Sequence, residues 1–151
     1  MVSRKAKEIE SHEIFLMGQD VWSDNMNEAE YLETCFNSEK YKRGQWWILE
    51  DTGHIVSSLI VYKFKDQSYG IGSIVTCGHE RQKGYGTKLL TDVMEIYKNF
   101  GQRIFLYSDI ETSFYKKFSF KNLPAQYQKY KNSVCMCFGD YGDSFDPPDY
   151  F

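Results

Sequence analysis

The residues best placed to do chemistry form one short run: Arg81, Gln82, Lys83, Gly84, Tyr85, Gly86 and Thr87. The run lies between an apolar stretch at 71–77 and an apolar pattern of helical spacing at 89–97. Two glycines in a strand-to-helix turn let backbone come close to a ligand. The first helical turn then offers unpaired N–H groups and the positive end of its dipole. That is anion-binding chemistry, and a phosphate or pyrophosphate is the guest it suits. Lys83 could add a charge-assisted contact to phosphate. Arg81 and Lys83 can equally be read as solvated loop charges.

Two phosphate loops fail on these residues. A P-loop needs lysine directly after its second glycine, but Gly84 is followed by Tyr85, and Lys88 comes after Thr87 rather than before it. A dinucleotide fingerprint would place its third glycine at Leu89. It would also need an acidic residue about 20 positions on, where the chain has 103–105, Arg-Ile-Phe.

The pattern that fits is Arg/Gln-x-x-Gly-x-Gly/Ala after a strand, which resembles the acetyl-CoA loop of the GCN5-related N-acetyltransferases (GNAT). Phe114, Tyr115, Lys116, Lys117, Phe118, Ser119 and Phe120 resemble that family's Leu-Tyr-x-x-x-Gly-Phe helix. The two motifs span 71–120, about a third of the chain.

The resemblance implies an acyltransferase that moves an acetyl group from acetyl-CoA to a primary amine by direct attack, with no metal. The acceptor would be a small cationic amine, or a lysine or N-terminal amine of a protein. Backbone of Ile74, Val75 and Thr76 would pair with the pantetheine. Arg81, Gln82, Lys83, Gly84, Tyr85, Gly86 and Thr87 would surround the pyrophosphate. Ser108 stands where the family often has a coenzyme-binding asparagine. Tyr115 matches the tyrosine that protonates the leaving thiolate, and a phenol near pKa ~10 can donate to a thiolate whose conjugate acid is near ~8.5. The same tyrosine could instead orient sulfur or belong to the core.

Some members of that family carry a base glutamate on strand four, where 70–73 here reads Gly-Ile-Gly-Ser, and another branch carries one at the end of strand five, where 103–105 reads Arg-Ile-Phe. Deprotonation relayed by water is expected, with Glu50, Asp109 or Glu111 as candidates that can also be read as surface carboxylates. His79 reads as an exposed loop histidine. Ser119 replaces a glycine, and a left-handed turn there would cost about 1 kcal/mol.

Composition narrows the class. A chain of 151 residues suits one domain, 1–151, ending in an acidic, aromatic tail at 139–151. Hydrophobic content of 42% with 26% charged residues reads as a soluble globular protein, and no apolar run approaches the ~20 residues of a membrane span. The first residues lack the apolar core of a secretory signal, so a cytoplasmic location is expected. A net charge of −3 argues against nucleic acid and favours a cationic acceptor. The expected partners are the amine acceptor and, as an assembly, a second copy in a homodimer, with neither nucleic acid nor membrane. Cys35, Cys77, Cys135 and Cys137 are too few and too irregular for a disulfide framework, and they read as free thiols. The rival classes are a silent coenzyme A-binding module and a non-enzymatic interaction domain using the 17% aromatic content.

The elements that must position the motifs follow from pattern. A first strand is expected at 6–9, then a short helix within 12–22 and a helix at 27–41 capped by Asn25 or Asn27. Segments 45–49 and 55–64 read as a hairpin around Asp51-Thr52-Gly53. A fourth strand follows, with Gly70 and Gly72 marking a bulge or a close backbone approach. Helix 87–100, closed by Gly101, leads to a fifth strand at 103–107, giving a parallel crossover. Thr112 or Ser113 would cap the helix bearing Tyr115, and 133–138 makes a last strand. The tail would be irregular, docked by Tyr141, Phe145, Tyr150 or Phe151. The implied fold is α/β: a mixed, mostly antiparallel sheet of six to seven strands, splayed at the parallel strands 4 and 5, with helices on both faces.

Overall fold

A computed structural model describes residues 1–100, 103–142 and 145–151. Seven strands form one sheet: β1 (Val2–Lys5), β2 (Gln45–Asp51), β3 (His54–Lys63), β4 (Tyr69–Thr76), β5 (Ile104–Ser108), β6 (Lys121–Asn122) and β7 (Val134–Phe138). Their order is β1-β2-β3-β4-β5-β7-β6. Six helices flank it: α1 (Ser11–Met17), α2 (Gln19–Trp22), α3 (Glu28–Asn37), α4 (Glu39–Arg43), α5 (Tyr85–Tyr97) and α6 (Ser113–Lys116). The β4–β5 pairing is parallel, and the β1–β2, β2–β3, β5–β7 and β6–β7 pairings are antiparallel. The mixed fold expected from the sequence is the fold observed.

The described residues divide into two compact units, Met1–Val61 with Ser73–Val93, and Tyr62–Gly72 with Met94–Phe151. In the first unit β1 lies at 2–5, not at 6–9. Ala6 still donates to the Trp46 carbonyl at 2.9 Å, but the Glu10 carboxylate then accepts from the Lys7 N–H at 2.7 Å and starts a 3₁₀ turn at Glu8–Glu10. The β2–β3 hairpin turns at Thr52 (φ 48°) and Gly53 (φ 82°). Positive φ at both central residues is the primed geometry whose twist matches a hairpin.

The helix expected at 27–41 divides at Ser38, which adopts an extended ψ of 114°. Its hydroxyl accepts from the Tyr41 N–H at 3.2 Å and starts α4. Asn27 caps α3 as expected, in a reciprocal box with Glu30. Gly18 separates α1 from α2. A Cβ there would meet the Trp22 ring at 2.3 Å, so only glycine permits that approach. Ile14, Phe15, Met17, Tyr31, Cys35, Ile48, Ile55 and Val75 form this unit's core.

In the second unit the parallel ladder comprises Tyr69↔Ile104 and Gly70↔Phe105, and β4 continues through 71–76 with no further pairing to β5 among the described residues. The two-residue strand β6 went unread in the sequence because so short a segment carries no period. α5 begins at Tyr85, two residues before the expected start, and the expected stop at Gly101 lies outside the described residues.

Phe105, Leu123, Cys135 and Cys137 make the second core, and the tail contributes Tyr141, Phe145 and Phe151 to it. Phe151 packs edge-on against Tyr62 and Tyr107, with centroids at 5.4 and 5.5 Å. Lys129 fixes the tail by donating to the Pro147 carbonyl at 2.9 Å. The described residues of the tail have no regular secondary structure, as its composition led one to expect, and aromatic rings hold them in place.

Candidate active site

The expected pyrophosphate loop lies in the first unit, between the end of β4 and α5. β3 steadies that strand end: the Ser57 hydroxyl donates to the Val75 carbonyl at 2.8 Å, and the Cys77 N–H donates to the Val56 carbonyl at 3.0 Å. Of the bulge or close backbone approach expected at Gly70 and Gly72, the close approach is found at Gly70, where an added Cβ would meet the Phe151 ring at 2.6 Å, whereas the left-handed residue of β4 is Ser73, with φ 48°. A non-glycine residue held in the left-handed region marks local strain. Tyr41 of α4 reaches this residue: burial pushes its phenol upward, and its hydrogen bond to Ser73 pulls it partly back.

After a 3₁₀ turn at Gly78–Glu80, the chain passes through Gln82 (φ 65°) and Gly84 (φ 83°). Two left-handed residues turn the backbone into α5, and Lys88 donates to the Gly84 carbonyl at 2.9 Å as the helix begins. At Gly84 a Cβ would touch nothing within 4 Å, so the need for glycine there is conformational. At Gly86 the need is one of room, since a Cβ would lie 3.3 Å from Thr76 Oγ1. The backbone of Gly86 and the end of β4 are therefore brought together, as an anion cradle at a helix N-terminus requires.

The loop's cations all have acidic partners. Arg81 grips Asp20 of α2, with Nη1 at 2.7 Å from Oδ2 and Nη2 at 2.8 Å from Oδ1, while its Nε donates to the Thr76 carbonyl at 3.0 Å. The pair holds the Asp20 carboxyl below its usual range and raises the guanidinium. Lys83 pairs with Glu80 at 2.7 Å, and Lys88 with Asp92 at 2.6 Å. Tyr85 donates to Asp51 at 3.0 Å. An incoming phosphate would therefore meet backbone N–H groups before any uncommitted cation on this loop.

Ser108 and Tyr115 lie in the second unit. Ser108 is buried at the end of β5, and its hydroxyl donates to the Ile110 carbonyl at 3.0 Å, closing the turn. Thr112 precedes α6, but its side chain makes no cap. Tyr115 is half-buried, with its ring 5.1 Å from that of Phe114. Burial, and then the charge of Asp109, raise its phenol above the ordinary range, so it stays protonated across neutral pH. Past α6, Ser119 takes φ 68°, the conformation a glycine would take, and Phe120 anchors the turn in the core.

The candidate bases have other engagements. Glu50 is tied to Arg4 at 2.7 Å, and Asp109 accepts from the Tyr150 hydroxyl at 2.6 Å. Glu111 is exposed. His79 is exposed, with its Nδ1 3.6 Å from Cys77 Sγ. The sequence reading missed Asp20, Asp51 and Tyr41. No local signal marks them, since Arg81 and Asp20 are 61 positions apart.

The sequence model of the Acetyltransferase (GNAT) family matches residues 9–120. No curated protein matches the chain significantly by sequence. Among solved structures, PH1933 from Pyrococcus horikoshii OT3 is similar at a TM-score of 0.73 and 18% identity, covering 93% of this chain and 98% of its own. A GNAT family acetyltransferase from Brucella melitensis in complex with acetyl-CoA is similar at 0.68 and 18%, with coverage of 96% and 92%. The ribosomal-protein-S18-alanine N-acetyltransferase from Escherichia coli is similar at 0.67 and 13%, with coverage of 95% and 97%. These likenesses concern the fold. The family match runs across most of the chain and takes in both the glycine loop and the Tyr115 helix, so this chain belongs to the GNAT acetyltransferase family.

Proposed function

We propose that the protein is an acetyl-CoA-dependent N-acetyltransferase that acts on a primary amine by direct attack. The observation that carries this reading is the loop: Gln82 and Gly84 in left-handed backbone, with Gly86, where an added Cβ would lie 3.3 Å from Thr76 Oγ1, at the start of a 13-residue helix. Acetyl-CoA bound in the neighbouring Brucella melitensis structure supports the choice of donor. When bound, acetyl-CoA supplies an activated thioester.

The chain's own residues do the rest. Backbone of Gln82–Thr87 and the α5 dipole hold the pyrophosphate, and Ile74, Val75 and Thr76 offer main chain to the pantetheine. Arg81 fixes the loop through Asp20 and Thr76, so its contribution to coenzyme binding is made by shaping the loop. Lys83 can leave Glu80 for a phosphate oxygen because its own ammonium is solvent-exposed. Ser108 shapes the turn that leads toward Tyr115. Tyr115, kept protonated, donates its proton to the departing sulfur. The amine loses its proton through water. The protein acts in the cytoplasm.

Calorimetric titration with acetyl-CoA, followed by amine-dependent release of free thiol, tests the reading. Saturable binding with thiol release supports the enzyme. Binding without release across a broad amine panel would favour a silent coenzyme A-binding module.

A further inference from the structure

The second unit holds a pocket that the coenzyme loop does not explain. It lies beside the end of β5 and the start of β7, is lined by Asp109, Tyr130, Lys131, Asn132, Ser133 and Tyr150, and has a volume of about 370 Å³. That is at the small end of the ~300–1,000 Å³ range of ligand pockets.

Three features make it a built site. Ser133 is 7% exposed, and its buried hydroxyl has no hydrogen-bond partner among the described residues. A buried hydroxyl without a partner is costly, and a ligand that bonds to it recovers the loss. Asp109 brings an exposed carboxylate, steadied on one oxygen by the Tyr150 hydroxyl at 2.6 Å. Tyr130 and Tyr150 set two rings against each other, with centroids 5.8 Å apart, and each packs on Tyr107. The wall bearing Tyr150 belongs to the tail, which Lys129 holds through Pro147 and Asp149.

We propose that this pocket binds the acceptor amine, with Asp109 receiving its ammonium and Tyr130 and Tyr150 holding its carbon body. The proposal rests on the acyltransferase reading and names its substrate class: a small monoamine with an apolar or aromatic body. A carboxylate gives the ammonium an ion pair, and phenol rings give it a cation–π contact while covering attached carbon. Lys131 in the same lining sets the pocket against a second positive charge. A polyamine, which net charge alone would favour, is therefore the poorer ligand. Asp109 and Tyr115 belong to the same unit, and the Asp109 charge acts, after burial, to raise the Tyr115 phenol.

The test is a nuclear magnetic resonance titration of ¹⁵N-labelled full chain with phenethylamine and, separately, with spermidine. The expected shifts gather at 109, 130–133 and 150. Phenethylamine should bind more tightly than spermidine, and its apparent Kd should weaken by about 10-fold in Asp109→Asn, the loss of one charge-assisted bond. Asp109 is exposed, so that variant keeps the fold, and Lys131→Gln should narrow the gap between the two amines. Shifts elsewhere, equal affinity in Asp109→Asn, or preference for spermidine would overturn the proposal. An acetyl-CoA titration on the same samples separates the two readings. Phenethylamine in this pocket without acetyl-CoA binding keeps the pocket and sinks the transferase, whereas acetyl-CoA binding with the amine elsewhere sinks the pocket alone.

Discussion

At Gly84 the backbone sits at φ 83° with open space where a Cβ would point. A β-branched side chain would have room but the wrong conformation, at a cost of about 1–2 kcal/mol, and the loop would relax away from the cradle. Gly84→Val is expected to abolish acetyl-CoA binding by calorimetry while circular dichroism stays unchanged. Undiminished affinity would remove this loop from the coenzyme site. Ser119 poses the converse case, a side chain already held at φ 68°. Ser119→Gly should raise stability in urea by about 1 kcal/mol, less the entropy glycine adds to the unfolded chain. No gain would mean that the serine side chain contributes a compensating contact. For Tyr115, whose phenol burial keeps protonated, Tyr115→Phe should leave acetyl-CoA affinity intact and lower kcat by ~10²-fold. Equal kcat would assign the tyrosine to packing.

Between β4 and α5, the loop's shape depends on partners far away in sequence. Arg81 joins Asp20 of α2 to the Thr76 carbonyl, so one guanidinium fixes both the strand end and the loop. Asp20→Asn should weaken acetyl-CoA binding by about 3–10-fold through lost preorganisation, with little change in thermal midpoint, since exposed pairs add only about 0–1 kcal/mol to stability. Calorimetry beside a melting curve measures both, and an equal loss of stability and affinity would count against a positioning role.

The elements read well from sequence where period and punctuation agree: the hairpin around Thr52-Gly53, the helix from Asn27, the crossover through α5. They read badly where a distant group decides. β1 stops early because the Glu10 carboxylate captures Lys7, and α3 ends at Ser38 because its hydroxyl starts another helix. In β4 Gly70 provides the close approach that a glycine suggests, while the left-handed residue is Ser73, which no pattern marks. Gly84, Gly86 and Tyr115 are proposed for the site on their local motifs. Asp20, Asp51 and Tyr41 carry no such local signal, because each joins its partner across 30 or more positions.

For the molecule as a whole, buried thiols set an alkaline limit. Burial pushes Cys135 up to about 11 and Cys137 up to about 12. In an unfolded chain both would titrate near ~8.5. Because the folded values are raised, the native state holds protons that the unfolded state releases as pH rises. Their contribution is complete below about 8.5 and is lost progressively through 11–12. Urea midpoints should therefore fall as pH rises above about 9, and Cys137→Ala should flatten that fall even if its stability at pH 7 drops through the cavity created. An identical slope in the variant would show that other groups set the alkaline limit.

The central claim is that a glycine-cradled loop and a protonated tyrosine make this chain an acetyl transferase. One assay meets it most directly: acetyl-CoA is titrated into the purified chain by calorimetry, and the same cell contents are then given small amines, with free thiol followed over time. Saturable one-to-one binding is expected, then thiol release that requires both amine and Tyr115. Absence of acetyl-CoA binding would contradict it.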